Sequence, residues 1–320
     1  MKVALLGYGR WGKNLYRAVS RLDEVSKVFV CDPYLKENIS NLNLITFDEI
    51  LGDDEITAVL IASPATTHFD FAKTLITNNK NIFCEKPLCF STKETTELSN
   101  LVKEHKKTLV TGHTFLFNDS VNFVKDYINE NSLRFKTISG KYCSYGTNVD
   151  DADVLWDFGP HVISMMNYIL NATPDSVEII PNSYREDKKL ESCILNMKYF
   201  KGLSNVLFEL SWLSIDKKRV IEFNNYETLL RWDDVNIDRP IEIYEKQLEE
   251  VANPGVFEHF HTIGNKITTP SLSPSEPLLN EMKYFINSVK NQEYLNLKSG
   301  VEFSKGVIKV LEEASLKIQI

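Results

Sequence analysis

The sequence predicts an α/β chain: a doubly wound parallel sheet at the N-terminal end, then an α+β region with an open, largely antiparallel mixed sheet. Two observations predict this. Over residues 2–112, short apolar runs at 3–6, 27–31, 58–62, 81–84 and 108–111 alternate with amphipathic stretches at 11–22, 66–77 and 91–105. Strands alternating with helices of that length are βαβ units, and right-handed crossovers make double winding the economical topology. Near residue 118 the rhythm changes. A helix at about 120–129 leads to a strand-like stretch at 134–145 and a helix at 160–170. Strand-like runs at 193–199, 204–213, 219–223 and 228–232 then follow one another, with short polar turns at Lys201-Gly202 and Asn224-Asn225, the mark of antiparallel pairing. Residues 252–275, rich in Pro, Gly, Ser and Thr, read as an excursion loop, and helices near 277–290 and 300–318 close the chain. The expected division is 1–117 and 118–320, with the closing helices free to pack back on the first part.

Bulk properties narrow the function. The length of 320 residues suits two domains. The 43% hydrophobic and 25% charged content is that of a globular protein. A net charge of −8, without a basic stripe, argues against nucleic acid or an anionic membrane as the main partner. Residues 1–6 are too short a run for a secretory apolar core, and no stretch reaches membrane-spanning length. The five cysteines, Cys31, Cys84, Cys89, Cys143 and Cys193, lack metal-type spacing. They are expected as free thiols in a cytoplasmic protein.

Four motifs carry chemistry. Gly7-Tyr8-Gly9-Arg10-Trp11-Gly12 follows the first strand and opens a helix. There the glycines permit a tight turn and bring a pyrophosphate to the helix N-terminus. Asp32, at the end of the second strand, is placed to take the ribose hydroxyls of NAD and to repel the 2′-phosphate of NADP; the plain alternative is a surface aspartate beside a glycine turn. Ser63-Pro64, after the 58–62 strand, would lie beside the dinucleotide, whereas His68 is either a cofactor neighbour or a solvated residue at a helix start. Glu85-Lys86-Pro87 sets a cation at the carboxyl end of a buried strand, where doubly wound sheets bind ligands, and Pro87 biases Lys86 toward an extended backbone. Trp156-Asp157-Phe158-Gly159-Pro160-His161 supplies a histidine suited to proton transfer. Pro160 at a first helical turn would put His161 near a helix N-terminus, which favours the neutral ring. Asp157 would orient that ring or bind a substrate hydroxyl, and the alternative is a buried histidine satisfied by Asp157. The Asp-Phe-Gly triplet is not a kinase signature, because neither an H-R-D loop nor a V-A-I-K lysine accompanies it. No metal is expected, and His259-Phe260-His261 lacks a recognisable ligand set.

Together these stretches resemble the glucose–fructose oxidoreductase/inositol dehydrogenase (Gfo/Idh/MocA) family: GYGRWGKN at 7–14, ASPATTH at 62–68, CEKP at 84–87, DFGPH at 157–161 and SEPLLNEMKYFINSV at 275–289. The resemblance implies a Rossmann domain followed by a substrate-binding and oligomerisation domain, and Asp32 makes NAD rather than NADP the expected cofactor. Residues Gly7, Tyr8, Gly9, Arg10, Trp11, Gly12, Asp32, Ser63, Pro64, His68, Glu85 and Lys86 would serve the cofactor. Lys86 and His161 would act on the substrate, with Asp157 as the helper of His161 and Trp156 beside them. Tyr142, Tyr145 and Asn148 are expected either to line the pocket or to form plain sheet surface. The implied activity is hydride transfer between a nicotinamide cofactor and a sugar alcohol or ketone, with a nucleotide sugar as substrate. Inositol or free-sugar oxidation, or a non-catalytic regulator of the same fold, are the alternatives. Branches that reduce keto-sugars often carry Tyr where this chain has His161, so the substrate class stays broad. A homodimer or homotetramer is implied.

Overall fold

The computed structural model describes residues 1–35, 42–146, 152–250, 260–272 and 276–318, without the side chains of 246–250 and 260–267. Six strands, β1 (Lys2–Leu6), β2 (Lys27–Cys31), β3 (Asn43–Leu44), β4 (Ile56–Ile61), β5 (Asn81–Cys84) and β6 (Leu109–Thr111), form one sheet in the order β3-β2-β1-β4-β5-β6. Every pair is parallel. Side chains alternate across it, as the period of a strand requires. Val3 and Leu5 meet Leu15 and Val19 of α1 (Arg10–Val19) and Met282 and Phe285 of α7 (Pro277–Lys290). Ala4 and Leu6 face the other way, toward Ile50 of α2 (Phe47–Gly52), Leu75 of α3 (His68–Thr77) and Leu98 of α4 (Thr92–His105). Both faces are therefore covered, as parallel sheets need.

The second sheet has eight strands: β7 (Thr137–Tyr145), β8 (Ser176–Tyr184), β9 (Leu190–Tyr199), β10 (Ser204–Ser211), β11 (Leu213–Asn224), β12 (Thr228–Asp233), β13 (Ile241–Glu250) and β14 (Phe260–Thr268). Their order is β14-β13-β12-β11-β7-β10-β9-β8, antiparallel throughout except for the parallel β7–β10 pair. This is the open, largely antiparallel mixed sheet that the sequence predicts. The long helix α6 (Val154–Leu170) lies on it, with Val162, Met165, Met166 and Ile169 sharing a core with Leu195, Met197, Phe208 and Phe223. Helix α5 (Asp119–Glu130) adds Val121 and Val124, and α8 (Val301–Ser315) adds Val307 and Leu311. Val301 at the head of α8 belongs to the core of the first sheet, so α8 ties the two sheets together.

Two local expectations change. The helix expected at 160–170 begins at Val154, capped by Asp153, whose carboxylate accepts from the Trp156 N–H at 3.0 Å. Pro160 is therefore internal; it deprives the Trp156 carbonyl of its helical donor rather than starting the helix. The stretch read as a loop at 252–275 contains β14, paired antiparallel to β13, and its turn-forming composition concealed the strand. Residues 251–259 and 273–275, with His259 among them, lie outside the described residues. Strand β8 carries Pro181, which an edge strand tolerates because one side needs no ladder donor. No helix among the described residues is long and apolar enough to cross a membrane.

Candidate active site

The chain leaves β1 toward β2 on one side and β4 toward β5 on the other, which makes the crevice above β1 and β4 a topological switch point. The glycine loop fills it. Gly7 has φ +88°, and a Cβ there would stand 2.7 Å from the Ala62 carbonyl oxygen. A Cβ on Gly12 would stand 2.1 Å from the Gly7 oxygen, so both positions require glycine. Gly9 differs: nothing lies within 4 Å of its missing Cβ. It begins α1 without a side-chain cap, leaving the first helical N–H groups for an anion. Asp32, at the end of β2, accepts from the Tyr8 N–H at 2.7 Å and the Tyr34 N–H at 2.9 Å, which pins its carboxylate beside the loop. An uncapped helix start, an open glycine face and a fixed carboxylate fit a dinucleotide.

The Ser63-Pro64 turn follows β4. Ser63 Oγ lies 2.7 Å from Thr67 Oγ1, and Thr67 donates to the Pro64 carbonyl at 2.7 Å. His68 is not solvated. It is 1% exposed, with Nδ1 2.8 Å from the Pro87 carbonyl and Nε2 3.0 Å from the Ser63 carbonyl. It therefore clamps this turn to the Glu85-Lys86-Pro87 segment, whose Lys86–Pro87 bond is cis.

Glu85 is 7% exposed and takes a hydrogen bond from the Trp11 indole N–H, joining the glycine loop to the end of β5. Burial pushes its carboxyl up to about 7, against the opposing pull of Trp11 and Lys86. Lys86 Nζ donates to Asp157 Oδ1 at 2.9 Å and to the Asp157 carbonyl at 2.8 Å. An ammonium has three donors, so one remains for a ligand. Asp157 Oδ2 accepts from the Trp212 indole at 3.2 Å.

Among the described residues no hydrogen bond joins the Asp157 carboxylate to the His161 ring. The carboxylate expected to help His161 is paired with Lys86 instead. His161 also stands in the middle of α6, so the helix start does not set its charge. Burial does so first, and the Lys86 and Arg219 cations and His113 add to it, holding the ring well below the usual imidazole range. Among the described residues its buried Nδ1 has no hydrogen-bond partner, and the ring is held by packing instead. Tyr142 stacks on it at 5.4 Å and 18°, and Phe115 meets it edge-on at 5.4 Å.

These groups share one cavity of about 600 Å³ between the two sheets. Of the residues singled out in the sequence, Arg10, Trp11, Ser63, His68, Glu85, Lys86, Tyr142, Trp156, Asp157 and His161 line it. Gly7, Gly9, Gly12 and Asp32 sit at the glycine-loop end, Tyr145 is 73% exposed outside it, and Asn148 lies outside the described residues. Sequence reasoning misses Arg219 and Asp234, which pair at 3.1 Å in the cavity wall, with the guanidinium 4.9 Å from the Tyr142 ring centre. They come together only because β11 runs beside β12, a register no local pattern announces. It also misses His113, whose ring burial holds down to about 3.

Comparison with known proteins agrees with this geometry. Residues 1–113 match the family model GFO_IDH_MocA, an oxidoreductase family with an NAD-binding Rossmann fold. The inositol 2-dehydrogenase of Rhizobium meliloti is 28% identical over 189 residues, covering 55% of this chain and 57% of that protein. The UDP-N-acetylglucosamine 3-dehydrogenase of Acidithiobacillus ferrooxidans superposes with a TM-score of 0.81 at 17% identity, over 99% of this chain and 97% of that one. A 3-ketoreductase from Actinomadura kijaniata, in complex with TDP-benzene and NADP, gives 0.82 at 14% identity over 98% and 96%. These structures share the fold. The matches to three other curated relatives span 36%, 35% and 65% of those proteins' lengths. Over its first 113 residues the chain is thus similar to the GFO_IDH_MocA oxidoreductase family.

Proposed function

We propose that this protein transfers hydride between NAD and a secondary alcohol or ketone of a sugar, with a nucleotide sugar as substrate. The observation that carries the reading is the meeting of Lys86, held by Asp157, with a neutral His161 in the cavity below the glycine loop. NAD, when bound, supplies the hydride acceptor. In the direction of oxidation, His161 takes the hydroxyl proton as hydride leaves the carbinol carbon and the carbonyl forms. Lys86 offers its free donor to the oxygen as charge develops there. Arg219 would meet an anionic or hydroxyl-rich part of the substrate. The named activities of the UDP-sugar dehydrogenase and the 3-ketoreductase support a nucleotide sugar, and that of the inositol 2-dehydrogenase supports the alternative of a free polyol.

A screen of nucleotide sugars, free hexoses and inositols, followed by nicotinamide absorbance, tests the reading. Reduction of NAD with a UDP- or dTDP-sugar is the expected result. Turnover confined to inositols would select the alternative, and tight NADH binding with no turnover on any of them would favour a regulator.

Cofactor choice follows from Asp32. Its pinned carboxylate would repel a 2′-phosphate, so the Asp32→Ser variant should raise kcat/KM with NADP relative to NAD by about tenfold or more, roughly 1.4 kcal/mol. An unchanged ratio would remove Asp32 from cofactor discrimination. For assembly, the outward face of the second sheet carries exposed Ile180, Leu207 and Leu213, apolar groups that a homodimer or homotetramer would cover.

A further inference from the structure

A second cavity, of about 580 Å³, is bounded by α5, the C-terminal end of α6 and the start of α8. Lys125, Asn167, Tyr168, Thr173 and Lys298 are among its lining residues. It shares none of its lining with the cavity that holds His161.

Its polar groups are mostly donors. Lys125 Nζ stands 3.6 Å from the centre of the Tyr168 ring, and Lys298 Nζ lies 4.7 Å from the same ring. Among the described residues neither lysine forms an ion pair with a carboxylate. Lys298 donates to Asn122 Oδ1 at 3.0 Å, the atom that also accepts from the Tyr168 hydroxyl at 2.7 Å. Asn167 is 5% exposed. The Tyr199 hydroxyl donates to its Oδ1 at 2.9 Å, and among the described residues its buried Nδ2 has no partner. A buried donor is costly to leave in that state. Gly306 keeps the space open, since a Cβ there would stand 3.8 Å from Nδ2 and 3.0 Å from Thr173 Cγ2.

We propose that this cavity is a binding site for a small phosphate-bearing molecule, gripped by Lys125 and Lys298 and reached by the Asn167 amide. Lysine binds phosphate as a point charge, and two of them here can share the charge of one phosphate group. Burial and the neighbouring Lys125 hold Lys298 down to about 8, although Asp119 and Asp126 pull the other way. The remaining acid in the wall, Glu302, is engaged with Lys103 and Ser99.

Calorimetric titration of the whole protein with inorganic phosphate, in the presence of excess NADH, tests the site. Phenyl phosphate and acetate serve as the other arms. The wild type should take up phosphate. Lys125→Gln/Lys298→Gln and, independently, Gly306→Val should each bind it at least about tenfold more weakly, with melting curves confirming that both variants fold. Phenyl phosphate binding more tightly than phosphate makes an organic phosphate the ligand, and equal binding makes it the free ion. Equal phosphate affinity in the wild type and the double-lysine variant, or acetate binding as well as phosphate, overturns the proposal.

Discussion

Replacing His161 with asparagine is expected to lower kcat by about two orders of magnitude or more, the usual contribution of a positioned general base. Asparagine keeps much of the volume between Tyr142 and Phe115 but cannot take a proton. The fall should appear equally in kcat and kcat/KM if His161 acts in the transition state. The pH profile gives the assignment a second edge. Burial, Lys86 and Arg219 all disfavour the imidazolium, so the folded ring titrates well below 6.5. Its contribution to kcat/KM should therefore persist as pH falls through 6.5 and be lost only further down. The sign for stability is the same: a depressed histidine leaves the folded state intact above the unfolded value and weakens it as pH falls below 6.5. Glu85 titrates at about 7, and a Glu85→Gln variant separates any limb it causes from that of His161. A single acid limb at the ordinary histidine value, surviving in His161→Asn, would remove His161 from the chemistry.

The Lys86→Ala variant should fall by a similar factor, about a hundredfold or more, since one donor to a developing oxyanion is worth roughly 10²–10³ in turnover. NADH affinity should weaken by no more than about tenfold, because the glycine loop and Asp32 are untouched. The pair with Asp157 is only 17% and 16% exposed, so the change also leaves a carboxylate short of a partner, at a stability cost of about 3 kcal/mol. Asp157→Asn then discriminates roles. It keeps the ammonium but loosens its aim, and is expected to cost less than Lys86→Ala. If Asp157→Asn were as damaging as His161→Asn while Lys86→Ala remained active, Asp157 would have to be the helper of His161 after all. Lys86→Arg should not rescue, since a planar fork cannot reproduce two bonds to one residue plus a free donor toward substrate.

What the sequence made legible here is what is local. The glycine loop, the acid that ends β2 and the lysine that ends β5 are each read from a strand and the few residues after it, and the alternation of strands with helices leads to the first sheet directly. What escaped depends on pairing at a distance. Arg219 and Asp234 meet through strand register, and Asp157 reaches Lys86 rather than His161 because α6 starts six residues earlier than Pro160 implies. The signals for that earlier start were present: Asp153 is a good N-cap, and Asp157 is an acid in the first turn. Pro160 outweighed them, since proline is more at home in a first turn than inside a helix. The neutral state of His161 was expected from the wrong cause, a helix dipole, when burial beside two cations accounts for it.

The central claim is that Lys86 and His161 act on the substrate while the glycine loop holds the cofactor. Its most direct test is to measure NADH dissociation constants and single-turnover hydride transfer in the same preparations of wild type, Lys86→Ala and His161→Asn, with the substrate found in the screen. The account predicts dissociation constants within about tenfold of wild type and transfer rates lowered by about a hundredfold or more in both variants. Transfer at near wild-type rates in either variant, or a loss of NADH binding large enough to explain the loss of transfer, would contradict it.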